Sequence, residues 1–179
     1  LNFENMSPIF LYIILGVILL LVGWLILTYN NLVNTRNRVD ESWSDIEVQL
    51  KRRYNLIPNL VEAVKGYTKH ENAAIKAVTE ARKALVSAKG VEGKVKADNN
   101  LESALKTIFA LAENYPNLKA NENFLELQRE LATTEDKVAY SRQFYNSNVL
   151  DFNSKVATFP SNLIANAFAF KPFEFFQAT

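Results

Sequence analysis

Ile9 to Leu27 (IFLYIILGVILLLVGWLIL) is nineteen residues without a charge, and no glycine or proline follows it until Pro58. At ~1.5 Å rise per residue the run nearly covers a ~30 Å hydrocarbon core. Tyr12 and Trp24 stand near its two ends, where amphipathic rings favour the membrane–water interface. From Val39 the apolar positions recur at steps of three and four: Val39, Trp43, Ile46, Leu50, then Ile57, Leu60, Val64 and Tyr67. Arg53 or its neighbour Tyr54 fills the missing step, and the period is that of a helix seam. A transmembrane helix over residues 9–28 is therefore expected to continue as one helix to about Thr68. Sixty residues of helix would reach ~90 Å. Asn30-Asn31 is a place for a hinge, asparagine being a mediocre helix former. Pro58 is expected to kink the helix rather than end it, because the seam keeps its phase from Ile57 to Leu60 and Val64.

A cleaved signal sequence would carry a basic leader, a shorter apolar run and a small-residue cleavage site. Here the leader holds only Glu4, and Thr28-Tyr29-Asn30-Asn31 follows the run, so the run reads as an anchor. No basic residue precedes it, whereas Arg36 and Arg38 follow closely, then Lys51, Arg52 and Arg53. That asymmetry places residues 1–8 outside as a short extracytoplasmic segment and residues 29–179 in the cytoplasm. The numbering opens on Leu1, so the start lies at Met6 or upstream. Lys51-Arg52-Arg53 reads as a solvated face balanced by Asp45 and Glu47, in preference to a lipid-headgroup contact.

Downstream, a second helix is expected from about Glu71 to Ala88, with Ala74, Val78, Ala81, Leu85 and Ala88 as its seam. Gly90 and Gly93 flank a turn. A third helix runs from about Lys94 to Asn114 through Ala97, Leu101, Ala104, Ile108 and Leu111, and Pro116 ends it. Leu118 plugs the bundle end. The fourth helix, about Glu122 to Ala157, starts at an Asn121 cap and has as its seam Phe124, Leu127, Leu131, Thr134, Val138, Ser141, Tyr145, Asn148 or Val149, Phe152 and Val156, whose polar members are hydrogen-bonded inside, face a shallow groove or meet another subunit. Phe159-Pro160 stops it, and Ser161 can cap a short fifth helix to Ala167. The expected fold is all-α: an N-terminal transmembrane helix continuing into an antiparallel up-down bundle of four long helices plus a short C-terminal helix.

The tail, residues 168–179, holds Phe168, Phe170, Phe173, Phe175 and Phe176 within nine residues. Aromatics carry large burial energies, so such a tail does not wave in water. It folds back onto the bundle, forms a self-association surface or enters the membrane interface.

Little of the sequence carries reaction chemistry. Cysteine is absent and His70 is the single histidine, which excludes disulfides, thiolate catalysis and histidine-rich or thiolate metal sites. No glycine-rich phosphate loop or nucleophile elbow occurs. Asp40-Glu41 and Glu135-Asp136 are adjacent pairs, which point different ways on a helix and share no substrate. A net charge of +1 gives no electrostatic case for nucleic acid. No enzymatic activity, cofactor or metal is expected.

Several stretches resemble the LemA family of single-span bacterial membrane proteins: Tyr29-Asn30-Asn31-Leu32-Val33, Trp43-Ser44-Asp45-Ile46, Gln49-Leu50-Lys51-Arg52-Arg53-Tyr54 and Leu56-Ile57-Pro58-Asn59-Leu60-Val61. Val78-Thr79-Glu80-Ala81-Arg82, Asn114-Tyr115-Pro116-Asn117-Leu118 and Phe159-Pro160-Ser161-Asn162-Leu163 extend the likeness over nearly the whole chain after the span. The resemblance implies a LemA-like helical-bundle domain over residues 29–179 behind an anchor in the inner membrane, and it brings no general biochemical activity. The expected role is a membrane-anchored scaffold or adaptor that meets the bilayer, copies of itself as a homo-oligomer, and other membrane proteins. Lipid binding or membrane remodelling in a stress response is the alternative.

Overall fold

Residues 8–68 and 71–177 are described by a computed structural model, and the secondary structure among them is helical throughout. The first helix, α1, runs from Pro8 to Lys65 without interruption. It is followed by α2 (Asn72–Ser87), α3 (Gly90–Ala112), the single turn α4 (Pro116–Lys119), α5 (Glu122–Ala157) and α6 (Ser161–Ala167). The all-α expectation holds: a long apolar N-terminal helix continues into an antiparallel bundle of α1, α2, α3 and α5, with α6 as the short C-terminal helix. Asn30 and Asn31 lie inside α1 and form no break. Asn121 caps α5 as expected, its Oδ1 accepting from the Phe124 N–H at 3.0 Å.

Pro58 also lies inside α1, and the structure shows why the helix tolerates it. Proline has no N–H, so the carbonyl four residues earlier, that of Tyr54, loses its helical donor. Arg82 of α2 supplies the replacement: its Nε donates to the Tyr54 carbonyl at 3.0 Å. A break in one helix is thus closed by a side chain from the next. Arg82→Met should destabilise the fold by about 1–2 kcal/mol, because it leaves that carbonyl unpartnered. In a Pro58→Ala background the helix makes its own bond again, and the cost of Arg82→Met should fall below about half of that. Equal costs in both backgrounds, read from denaturant unfolding in detergent, would rule out this coupling.

Several local expectations need correction. The α2–α3 turn is tighter than expected: α3 begins at Gly90, and Gly93 lies within it. Gly90 has φ +70°, a left-handed conformation that a side chain would strain, so it allows the immediate reversal. Ser161 is the first residue of α6, after Pro160, and its hydroxyl donates backward to the Lys155 and Thr158 carbonyls at 2.6 and 2.9 Å. Arg53 is not on a solvated face. It is 2% exposed and fills the missing step of the α1 seam. The α3 seam runs through Asp98, Leu101, Leu105, Ile108 and Ala112, all buried, with Ala104 and Leu111 to its side. The shift follows from Asp98, a carboxylate occupying a core position.

The chain divides into two compact units, one drawn from Leu1–Val39 and Asn148–Phe173, the other from Asp40–Ser147 and Glu174–Thr179. In the first, Leu32, Val39, Val149, Phe152, Ile164 and Ala165 form the core. In the second, the buried apolar side chains are Ile46, Leu50, Ile57, Leu60 and Val64 of α1, Val78 and Leu85 of α2, Leu101, Leu105 and Ile108 of α3, and Phe124, Leu131, Val138 and Tyr145 of α5. Leu118 of α4 is fully buried there, the plug expected of it.

Candidate functional site

The first unit carries the apolar end of α1. An eighteen-residue window in this helix has a mean hydropathy of 3.0 and none of it is buried, from Ile9 through most positions to Leu27. A helix of that length and composition is long and apolar enough to cross a membrane. Immediately beyond Leu27 the exposed apolar wall meets other elements. Leu27, Thr28, Asn31 and Leu32 line an open cleft of about 290 Å³ together with Lys155 of α5 and Ser161 of α6. Lys155 donates from Nζ to Thr35 Oγ1 at 2.9 Å and pairs with Asp151 at 3.0 Å.

The tail of this unit is tied down by its backbone. After α6 the Phe170 N–H donates to the Ala165 carbonyl at 2.9 Å and the Ala169 N–H to that of Asn166 at 3.2 Å, with Ala169 at φ 56°. This is a helix-ending turn that usually places glycine in the left-handed position, so alanine there is mildly strained. It sets the Phe168 and Phe170 rings against Tyr29, at centroid distances of 4.7 and 6.0 Å. Phe170 and Phe173 also pack edge-on to Phe152, at 6.2 and 5.2 Å. Asn153 clamps Phe173 from both sides of the peptide: Nδ2 donates to its carbonyl and Oδ1 accepts from its N–H, each at 2.9 Å.

The second unit repeats the device. Asn146 Nδ2 donates to the Phe176 carbonyl at 3.0 Å, and Oδ1 accepts from the Phe176 N–H at 2.8 Å. Phe176 is 1% exposed, with Trp43 and Tyr145 nearby and the Arg142 guanidinium 4.9 Å from its ring centre. Trp43 and Tyr145 pack on each other at 5.6 Å. Tyr145 donates its phenolic hydrogen to the Glu174 carbonyl at 2.9 Å. Burial, then the Glu174 and Asp40 carboxylates, push this phenol up to about 12.

Of the five tail aromatics, Phe176 is thus buried, Phe170 and Phe173 are half-buried, and Phe168 and Phe175 are exposed. Phe175 borders a surface cleft with Glu92, Val95, Glu174 and Gln177. Other exposed apolar side chains lie outside the tail and off the helix seams: Tyr140 and Phe144 on α5, Phe159, and Leu163 on α6. Their signal was available, since Tyr140 and Phe144 share a face four residues apart and off the seam.

Deep in the second unit, Arg53 Nη1 donates to Asp98 Oδ1 at 2.9 Å, and its Nη2 lies 3.5 Å from the half-exposed Glu135. Among the described residues, Gln49 Oε1, Arg53 Nε and Asp98 Oδ2 are buried without a hydrogen-bond partner. Burial pushes Asp98 above its ordinary value, although Arg53 and Arg142 pull it down. Arg53 and Asp98 themselves are shut off from solvent, at 2% and 1% exposure, while Glu135 beside them is half-exposed. Among the described residues no group of three His, Cys, Asp or Glu side chains comes together to hold a metal. His70 lies outside the described residues, as do the proposed start at Met6 and most of residues 1–8.

Residues 42–179 match the LemA family. The chain belongs to the LemA family. It is 29% identical to the protein LemA of Metamycoplasma hominis over 155 residues, covering 84% of this chain and 69% of the relative. It is 24% identical to the magnetosome protein MamQ 2 of Paramagnetospirillum magneticum, covering 87% of this chain and 67% of that one. MamQ of Magnetospirillum gryphiswaldense is likewise 24% identical, over 96% of this chain and 73% of its own length. With its exposed apolar helix, this LemA-family chain is a membrane-associated helical protein. Arg53, Pro58, Arg82 and Asp98 all fall within the matched span, so the buried pair and the proline repair lie in its LemA domain.

Proposed function

We propose that this LemA-family chain is a non-enzymatic scaffold or adaptor, anchored by residues 9–28 in the inner membrane with residues 1–8 outside and residues 29–179 in the cytoplasm. It acts by meeting copies of itself and other membrane proteins. The observation that carries this reading is α1: one unbroken helix supplies both the exposed apolar run and the inward stripe of the bundle. Exposed aromatics on the second unit, Tyr140, Phe144 and Phe175, give it apolar contact points. Phe173 and Phe176, by contrast, have rings and backbones engaged within the chain.

Particle mass in mild detergent tests the proposal. The intact chain should form particles of several copies, and Tyr140→Ser with Phe144→Ser and Phe175→Ser should reduce them to single chains while helical circular dichroism is unchanged. Assemblies that survive the triple substitution would move the contact elsewhere on the bundle and overturn the assignment to these side chains.

A further inference from the structure

Around the α5–α6 corner of the first unit, Phe159 at 74% exposure, Leu163 at 55% and Phe168 at 57% stand in the open, as does Leu150 at 59% further back on α5. None belongs to α1, yet all belong to elements held against the turn that follows its apolar run. Ser161, between Phe159 and Leu163 in sequence, lines the same cleft as Leu27 and Thr28. The Phe168 ring rests on Tyr29, two residues past Leu27, and that contact is fixed by the Ala169 turn. Charge follows the same pattern. The described residues of this unit hold Arg36, Arg38, Lys155 and Lys171 against a single carboxylate, Asp151. Arg36 and Lys171 border one cleft with Phe170 and Phe173.

We infer that the α5–α6 corner and Phe168 form a second membrane contact, a foot that seats Phe159, Leu163 and Phe168 in the interfacial layer of an anionic bilayer beside the anchor. Where the apolar run ends at Leu27 the hydrocarbon ends, and side chains level with Thr28 and Tyr29 stand among headgroups. Exposed phenylalanine and leucine there bury their area in the headgroup–acyl boundary, and the basic excess meets lipid phosphate. The foot fixes the direction in which α1 leaves the membrane, because a helix held at two points on one surface cannot swivel about its own axis. The inference rests on the anchor reading and adds a contact to it.

The absence of cysteine from the chain allows a direct test. A nitroxide is attached to single cysteines introduced in the full chain by Phe159→Cys, Leu163→Cys or Phe168→Cys, reconstituted in phosphatidylcholine vesicles with and without phosphatidylglycerol. Leu20→Cys reports the anchor and Thr133→Cys, exposed on α5, reports water. The ratio of oxygen to nickel-chelate accessibility at positions 159, 163 and 168 should lie between the two references, several-fold above position 133, and rise with phosphatidylglycerol. Lipid-like readings at 20 with water-like readings at all three foot positions would overturn the foot and leave the anchor standing. Shielding from both reagents would mean that protein covers the corner, and would also overturn it. A water-like reading at 20 would overturn the anchor and the foot with it.

Discussion

Asp98→Ala should destabilise the fold by about 3–5 kcal/mol, the usual cost of removing one partner of a buried ion pair. The loss does not measure an attraction. It is the penalty of leaving the Arg53 guanidinium, 2% exposed, without the carboxylate 2.9 Å away. Arg53→Met with Asp98→Leu removes both charges and both desolvation penalties, so the double variant should match the wild type within about 1 kcal/mol or exceed it. The pH dependence follows from the same balance. Burial outweighs Arg53 and raises Asp98 above its ordinary 3.8, so the folded chain binds this proton more readily than the unfolded chain. Its contribution is then complete below about pH 3.8 and is lost as pH rises through the folded value. Against Asp98→Asn, which does not titrate, the wild type should lose stability as pH rises from 4 towards 7. A wild type that gains on the variant over that range would show that Arg53 dominates. Urea unfolding in mild detergent, followed by helical circular dichroism, makes both measurements.

Phe176→Ala should cost about 3–5 kcal/mol, the range for truncating a buried phenylalanine. The ring packs against Trp43 under the Arg142 guanidinium, so its removal leaves a void beside an aromatic and a cation. Phe175→Ala, one residue away and exposed, should change stability by less than about 0.5 kcal/mol. The contrast separates the tail's part in the fold from its part in any contact. Near-neutral effects at both positions would mean that the tail does not hold the bundle. The same unfolding assay reads them, with Trp43 fluorescence as a second probe near the substituted ring.

The order of the helices was legible because apolar side chains at steps of three and four are sufficient to place a helix face. Two features escaped that reading, and both are polar. Asp98 occupies a seam position of α3, but a carboxylate counts as surface in any apolar tally, so periodicity favours Ala104 and Leu111 over the buried Leu105 and Ala112, while Ala97 is buried as its place in the stripe implies. Arg53 left a visible gap in the α1 stripe, and only the structure brings the two gaps together. Pro58 read correctly as an interruption that the helix survives. The reason it survives lies 28 residues away in Arg82, and no local pattern encodes that partner. For the tail, composition announced burial but not its agents. Asn146 and Asn153 read as polar positions of α5, and they clamp the peptides of Phe176 and Phe173. Exposed Phe159, Leu163 and Phe168 follow from where α6 docks, which periodicity in a seven-residue helix does not specify.

If the chain works as proposed, by placing helical bundles at a membrane in the company of other copies, the intact protein self-associates. The most direct measurement is the mass of the intact particle in mild detergent, corrected for bound detergent, against 20.3 kDa for one chain. The account predicts a defined integer multiple that holds on dilution. A mass of one chain at every concentration, with α1 intact and the bundle folded, would contradict self-association as its mode of action.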